Sequence, residues 1–184
     1  MADIAQRIYE QILVTRCRAG DDGAFTELVG LYQARMAYFV RQLLMDAALA
    51  DDVLQEVWLA VFRGLPRLRS PASFQAWLYR IARSKACHEL RRRHKWIELE
   101  EEPAAAAPDS EQEFSPQQAE AIHRSLKLLS PQHREVLILR FLEGMTYEQI
   151  SEVVGCHVGT VRSRLHHAKS ALRRQMEDCH DTQR

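Results

Sequence analysis

The 184-residue chain has no long apolar run: hydrophobic residues make up 46% of it but occur in short clusters broken by charge. A bilayer span needs about 20 consecutive apolar residues, so no membrane insertion is expected. The opening Met1-Ala2-Asp3-Ile4 lacks the basic-then-apolar pattern of a secretory leader, which points to a cytoplasmic protein. Cysteines are few. Cys17, Cys87, Cys156 and Cys179 show no disulfide-scaffold spacing and read as reduced thiols. Three of them precede a histidine directly, but adjacent Cys-His pairs are poor chelates, so no metal is expected. There is no H-E-x-x-H, no phosphate-binding loop and no nucleophile elbow, so neither catalytic residues nor a cofactor are expected. Seven glycines and six prolines lie mostly between helical patterns, and no alternating strand pattern persists. The fold class is therefore read as all-α.

The net charge is zero, but its distribution is uneven. Residues 1–97 carry 15 bases against 10 acids, residues 98–115 seven acids and no bases, and residues 116–184 ten bases against eight acids. A zero total argues against non-specific nucleic-acid binding by the whole chain, yet it permits two local DNA-binding faces. The acidic strip Glu98 to Ser115, with Glu100-Glu101-Glu102-Pro103, four alanines and Pro108-Asp109-Ser110, offers almost nothing to bury and reads as a flexible linker. The expected organisation is two small helical domains, 1–97 and 116–184, joined by an acidic linker, 98–115.

In the first block, Gly20-Asp21-Asp22-Gly23 reads as a turn and N-cap. Phe25, Leu28, Val29, Tyr32, Met36 and Phe39 then recur at helical spacing. A second helix is expected from about Ala48 to Arg63, ending at Gly64-Leu65-Pro66. A loop runs to Ser73, read as a cap, and a long helix from Phe74 extends toward Lys95. On the second helix Val53, Leu54, Val57 and Val61 share one side, while Asp52, Gln55, Glu56 and Leu59 share the other, a mixed face suited to protein docking. On the long helix Arg80, Arg83, Cys87 and Arg91 fall within an arc of roughly 80 degrees, by the 100-degree advance per residue. A basic stripe near Phe74, Trp77 and Tyr79 suits single-stranded or melted DNA. Trp77 is expected in the core; Phe74 fits either role.

The second block reads as a helix-turn-helix. Pro131 follows Ser130 as a first-turn proline. Tyr147 to Val154 forms one helix with Ile150, Val153 and Val154 inward, Gly155-Cys156-His157 turns, and a second helix starts near Val158. Taking Val161 as zero, Leu165, Ala168 and Leu172 lie within about 40 degrees of it and should be buried. Ser163, His166, His167 and Ser170 land opposite, flanked by Arg162, Arg164 and Lys169. Between Val158 and Met176 there are five bases and no acid. Such a helix fits the major groove and neutralises phosphates.

Several runs resemble the extracytoplasmic-function group of the sigma-70 superfamily of RNA polymerase sigma factors. They are Ala50-Asp51-Asp52-Val53-Leu54-Gln55-Glu56-Val57-Trp58, then Ser73-Phe74-Gln75-Ala76-Trp77-Leu78-Tyr79-Arg80-Ile81-Ala82-Arg83, then Leu128-Leu129-Ser130-Pro131, Tyr147-Glu148-Gln149-Ile150-Ser151 and Gly159-Thr160-Val161-Arg162-Ser163-Arg164-Leu165. The resemblance implies a region 2 bundle and a region 4 helix-turn-helix. It implies docking on the clamp helices of core polymerase through Asp52, Gln55 and Glu56. Contact with the promoter −10 element would come from Leu68, Ser73, Phe74, Arg80, Arg83, Ser84 and Arg91. Contact with the −35 element would come from Thr160, Arg162, Ser163, Arg164, His166, His167 and Lys169. It further implies flap contact by the second domain, a linker whose charge mimics nascent RNA, and an anti-sigma factor as regulator. The chain departs from the family pattern at Ser84, where Asn is frequent, and at His167, where Arg is usual.

Two other readings compete. A one-component regulator would bind operator DNA alone, but it leaves the first block without a task. A sigma-like decoy would bind polymerase or an anti-sigma factor without supporting transcription.

Overall fold

The computed structural model describes residues 2–93 and 119–181; the expected linker, Lys95 and the Cys179 side chain lie outside the described set. Every regular element described is helical, and the chain divides into two units, Met1–Trp96 and Ile97–Arg184.

The first unit contains α1 (Ala2–Arg18), α2 (Asp22–Leu44), α3 (Ala47–Gly64) and α4 (Phe74–Arg92). Helix α1 was not foreseen from sequence. It buries Leu13, Val14 and Cys17 while Ile4, Ile8, Tyr9 and Ile12 stay exposed, so its apolar residues never form a single inward stripe. The turn before α2 is as expected: Asp21 caps the helix by accepting from the Ala24 amide at 3.0 Å, and Arg16 pairs with the same carboxylate at 2.7 Å. Both contacts hold that carboxyl below its usual range, the amide bond foremost. Leu28, Tyr32, Met36 and Phe39 form the core row of α2, against Val53, Leu54, Val57 and Val61 of α3. Asp46 caps α3 through the Leu49 amide at 3.1 Å.

The stretch expected as a loop contains two single 3-10 turns, Leu65–Arg67 and Pro71–Ser73, each carrying a proline in its first turn. Gly64 admits the chain here because a Cβ would come within 2.8 Å of the Trp77 ring. Two expectations are corrected. Trp77 is only half-buried, leaning over Gly64, whereas Phe74 is completely buried. Ser73 stands at the cap position, but its hydroxyl donates backward to the Ser70 carbonyl at 2.8 Å and closes the turn instead of capping α4.

The second unit contains α5 (Ala119–Leu128), α6 (Pro131–Leu137), a π-helical turn (Ile138–Leu142), α7 (Tyr147–Val154) and α8 (Val158–Asp181). Ser130 caps α6, with Pro131 in the first turn as expected. Thr146 and Gln149 form a reciprocal capping box at the start of α7, at 3.3 and 2.9 Å. Gly155 ends α7 in the left-handed region at φ 74°, which glycine adopts without a Cβ clash. The Ser151 hydroxyl then donates to the Cys156 carbonyl at 2.6 Å and clamps the turn. Val161, Leu165, Ala168 and Leu172 are buried as projected, together with Ile150, Val153 and Val154.

Candidate nucleic-acid and polymerase interfaces

Asp52, Gln55 and Glu56 are all exposed on α3, opposite its buried valines. Glu56 is not idle: it accepts from the Lys85 ammonium of α4 at 3.0 Å. The same exposed side of α3 continues into Leu59 and Phe62, each 55% exposed. Phe62 stands edge-on to Phe25 at 5.1 Å, and Phe25 edge-on to Trp58 at 6.4 Å. Sequence reasoning missed Phe62, although its spacing of seven from Gln55 and three from Leu59 would have placed it there.

The residues expected at the −10 element divide. Arg80, Ser84 and Arg91 are exposed on α4, and Arg83 is half-buried. Cys87, within the same arc, is buried, and burial of that side interrupts the basic stripe. Leu68 and Phe74 are also buried, 7% and 0% exposed, so neither presents a surface to a base. Leu68 follows the first 3-10 turn and anchors the loop, while Phe74 packs edge-on against Tyr32. Ser73 is half-buried with its hydroxyl used within the turn. Arg67 and Arg69, both exposed beside Leu68, are basic groups that sequence reasoning overlooked. The basic tail of α4 is likewise partly committed. Glu89 takes both Arg92 and Arg93 at 2.8 Å, and this pairing, the Arg92 hydrogen bonds first, lowers its carboxyl to about 2. Arg93 also approaches Asp46 at 3.7 Å, tying the end of α4 to the start of α3.

On α8, Arg162 and His166 are exposed, while Thr160, Arg164, His167 and Lys169 are half-buried. Ser163 departs from expectation: it is 5% exposed, and its hydroxyl donates to the Thr160 carbonyl at 3.0 Å. Projection on one helix does not show which neighbours cover it, and α8 packs on α5, α6 and α7. The His166 and His167 rings meet edge to face at 5.6 Å. Tyr147 orients the cationic entrance of this face: the Arg140 guanidinium lies 4.9 Å and that of Arg162 5.7 Å from its ring centre. Glu148 beside it is held below its usual range by its own backbone amide and the Thr146 hydroxyl, with Arg162 adding attraction. Lys169 sits over the Phe141 ring at 5.4 Å.

An exposed cationic helix behind a tightly capped turn, joined in one chain to a bundle with an acidic-apolar face, fits a DNA-binding protein that also docks on another protein. Sequence comparison gives that class its family. Residues 28–96 match the model for sigma-70 region 2, and residues 119–172 that for sigma-70 region 4. The chain is 33% identical to the RNA polymerase sigma-H factor of Pseudomonas aeruginosa, covering 91% of this chain and 94% of that one. It is 32% identical to the ECF RNA polymerase sigma-E factor of Escherichia coli, covering 92% and 95%. Two solved structures share the fold. CnrH in complex with the cytosolic domain of CnrY gives a TM-score of 0.67 at 24% identity, covering 92% of this chain and 98% of that one. The sigma factor RpoE with the anti-sigma factor NepR from Bartonella quintana gives 0.64 at 23%, covering 83% and 96%.

The chain belongs to the extracytoplasmic-function sigma factors of the sigma-70 family. It is an initiation factor, not an enzyme, and it directs core RNA polymerase to specific promoters. No helix among the described residues is long and apolar enough to cross a membrane.

Proposed function

We propose that the two units divide promoter recognition between them, and that the observation carrying this division is the exposure of separate faces on α3, α4 and α8. Residues 1–97 act as region 2 and residues 116–184 as region 4, joined by the acidic linker 98–115. The α3 face of Asp52, Gln55 and Glu56, extended by Leu59 and Phe62, docks on the polymerase clamp helices. Acidic rims steer and orient such a contact, while the apolar pair supplies buried area. The loop Leu68 to Ser73, with Arg67, Arg69, Arg80, Ser84 and Arg91, engages the opened −10 strand. Leu68 and Phe74 support that loop from the core. The α8 face of Arg162, Arg164, His166, His167 and Lys169 enters the −35 major groove.

The exposed apolar side chains Leu128, Phe141 and Leu142 are candidates for contact with the polymerase flap. The chain works in the cytoplasm under an anti-sigma factor, as RpoE of Bartonella quintana is held by NepR. Promoter melting then needs no chemistry, only tighter binding to the opened strand than to the duplex.

Asp52→Lys with Glu56→Lys tests the docking face, because it reverses charge on exposed side chains and leaves the core untouched. Pull-down of core polymerase should fall by an order of magnitude or more, with helicity by circular dichroism unchanged. Retention of wild-type binding by that double variant removes the assignment.

A further inference from the structure

Helix α1 packs on both short turns that bound the loop assigned to −10 capture, Leu65–Arg67 and Pro71–Ser73. Its inward residues Leu13 and Val14 are completely buried. One turn earlier, the Glu10 carboxylate accepts a hydrogen bond from the Tyr32 hydroxyl of α2. The Tyr32 ring, 1% exposed, stands edge-on to Phe74 at 5.5 Å and 75°. Phe74 is the first residue of α4 and directly follows the second turn. It leans in turn on Trp77, at 6.2 Å, whose ring covers Gly64 at the far end of the loop. On the other side of this chain of contacts, the Arg35 guanidinium lies 5.1 Å from the Tyr32 ring centre. A hydrogen bond and two edge or tilted ring contacts each have a narrow preferred geometry, so together they fix where the loop leaves the core.

We propose that Glu10 is a positioning residue for promoter opening: through Tyr32 and Phe74 it presets the Leu68–Ser73 loop for an unstacked −10 base. The inference rests on the assignment of that loop to −10 capture. A loop that is preset loses little freedom on binding, whereas one that samples other arrangements binds in proportion to the fraction that is competent. The same two helices carry an internal control. Tyr9 of α1 also donates its hydroxyl to a carboxylate of α2, Glu27, but this pair is solvent-exposed and leads to no ring beneath the loop.

The test uses holoenzyme reconstituted from core polymerase and the full chain. Binding is measured to a single-stranded oligonucleotide carrying the −10 non-template sequence of a responsive promoter, and in parallel to duplex −35 DNA. Tyr32→Phe and Glu10→Ala should each weaken single-strand capture about fivefold, the worth of one net hydrogen bond. Their combination should add little more, because both remove the same link. Glu10→Gln, whose amide oxygen can accept the same bond, should restore most of the loss. Tyr9→Phe should leave capture unchanged, and −35 binding should be unaffected throughout. Wild-type capture by Tyr32→Phe, or an equal loss in Tyr9→Phe or in −35 binding, would overturn the proposal. An Arg67→Ala, Arg69→Ala loop variant separates the two levels. If it captures the strand normally, the loop assignment fails and the proposal with it. If it is impaired while Tyr32→Phe is not, only the role of Glu10 fails.

Discussion

The two units hold their working faces by different means. In the second unit polar side chains finish helix ends within a few residues of themselves. Arg134 is 3% exposed and donates to the Leu126, Lys127 and Leu129 carbonyls at 2.8, 3.1 and 2.9 Å, closing α5. Arg140 donates to the Met145 carbonyl at 3.0 Å, and Ser130, Thr146 and Gly155 complete the adjoining ends. In the first unit Asp21 and Asp46 cap in the same local way, but further groups join residues far apart in sequence: Glu10 to Tyr32, Trp58 to Gln33 at 2.6 Å, Lys85 to Glu56 at 3.0 Å, and Arg93 to Asp46 at 3.7 Å. A groove-reading helix needs only a rigid local mount. On the proposed assignment, a surface that holds a polymerase contact on one helix and a strand-capturing loop beside the next needs cross-links between them.

The contrast is most exposed at Arg134. Arg134→Met removes the donors to three carbonyls at a buried helix end, each of which costs about 1–3 kcal/mol when left unmade. The second unit should lose about 3 kcal/mol or more, visible as faster hydrogen exchange in α5 and α6. Protection in α2 to α4 should be unchanged; equal loss in both units would erase the distinction between local and long-range support.

Gly155→Ala places a Cβ in the left-handed region, a cost of about 1–2 kcal/mol, and should weaken −35 DNA binding by misdirecting α8. Unchanged melting and binding would show that the turn is not rigid. Met45 provides the opposite sign in the first unit. It ends α2 at φ 54°, exposed and without glycine's freedom, so Met45→Gly should stabilise the unit by up to about 1 kcal/mol in urea unfolding.

The smallest effect is expected at Glu89, whose arginine partners are 65% and 41% exposed and therefore screened. Its carboxyl is lowered to about 2 from an ordinary value near 4.5. The pairing thus stabilises the fold above about pH 4.5 and is lost as the pH falls toward 2. Glu89→Gln should lower the melting temperature at pH 7, with the difference from wild type shrinking between pH 4 and 2. A difference that stays constant over that range would assign the effect to packing.

This same contrast governs how much of the molecule was legible in its sequence. Ser130-Pro131, Thr146 with Gln149, and Gly155 are local signals, so the helix-turn-helix and the buried row Val161, Leu165, Ala168 and Leu172 could be read directly. The inward rows of α2 and α3 were readable for the same reason. Helix α1 was not, because its apolar residues surround it and its packing on the loop turns is a tertiary fact. Phe74 and Leu68 matched a DNA-contacting motif, yet neither spacing nor motif reveals that the core claims them. Ser163 was misplaced because a projection of one helix does not show which neighbouring helices cover it. The gathering of Arg92 and Arg93 on Glu89 is likewise hidden in a linear pattern that shows only a run of like charges.

The proposed division of labour is tested most directly at Ser84, exposed on α4, and His167, half-buried beside His166 on α8, where the family resemblance leads one to expect Asn and Arg. Transcription by reconstituted holoenzyme would be sequenced from a promoter library in which the −10 and −35 elements are randomised independently. Ser84→Asn should alter base preference only within the −10 element. His167→Arg should alter it only within the −35 element, favouring guanine by about tenfold where a bidentate contact becomes possible. A His167→Arg holoenzyme with changed −10 preference, or with a uniform gain at every −35 sequence, would contradict the assignment of sequence reading to these faces.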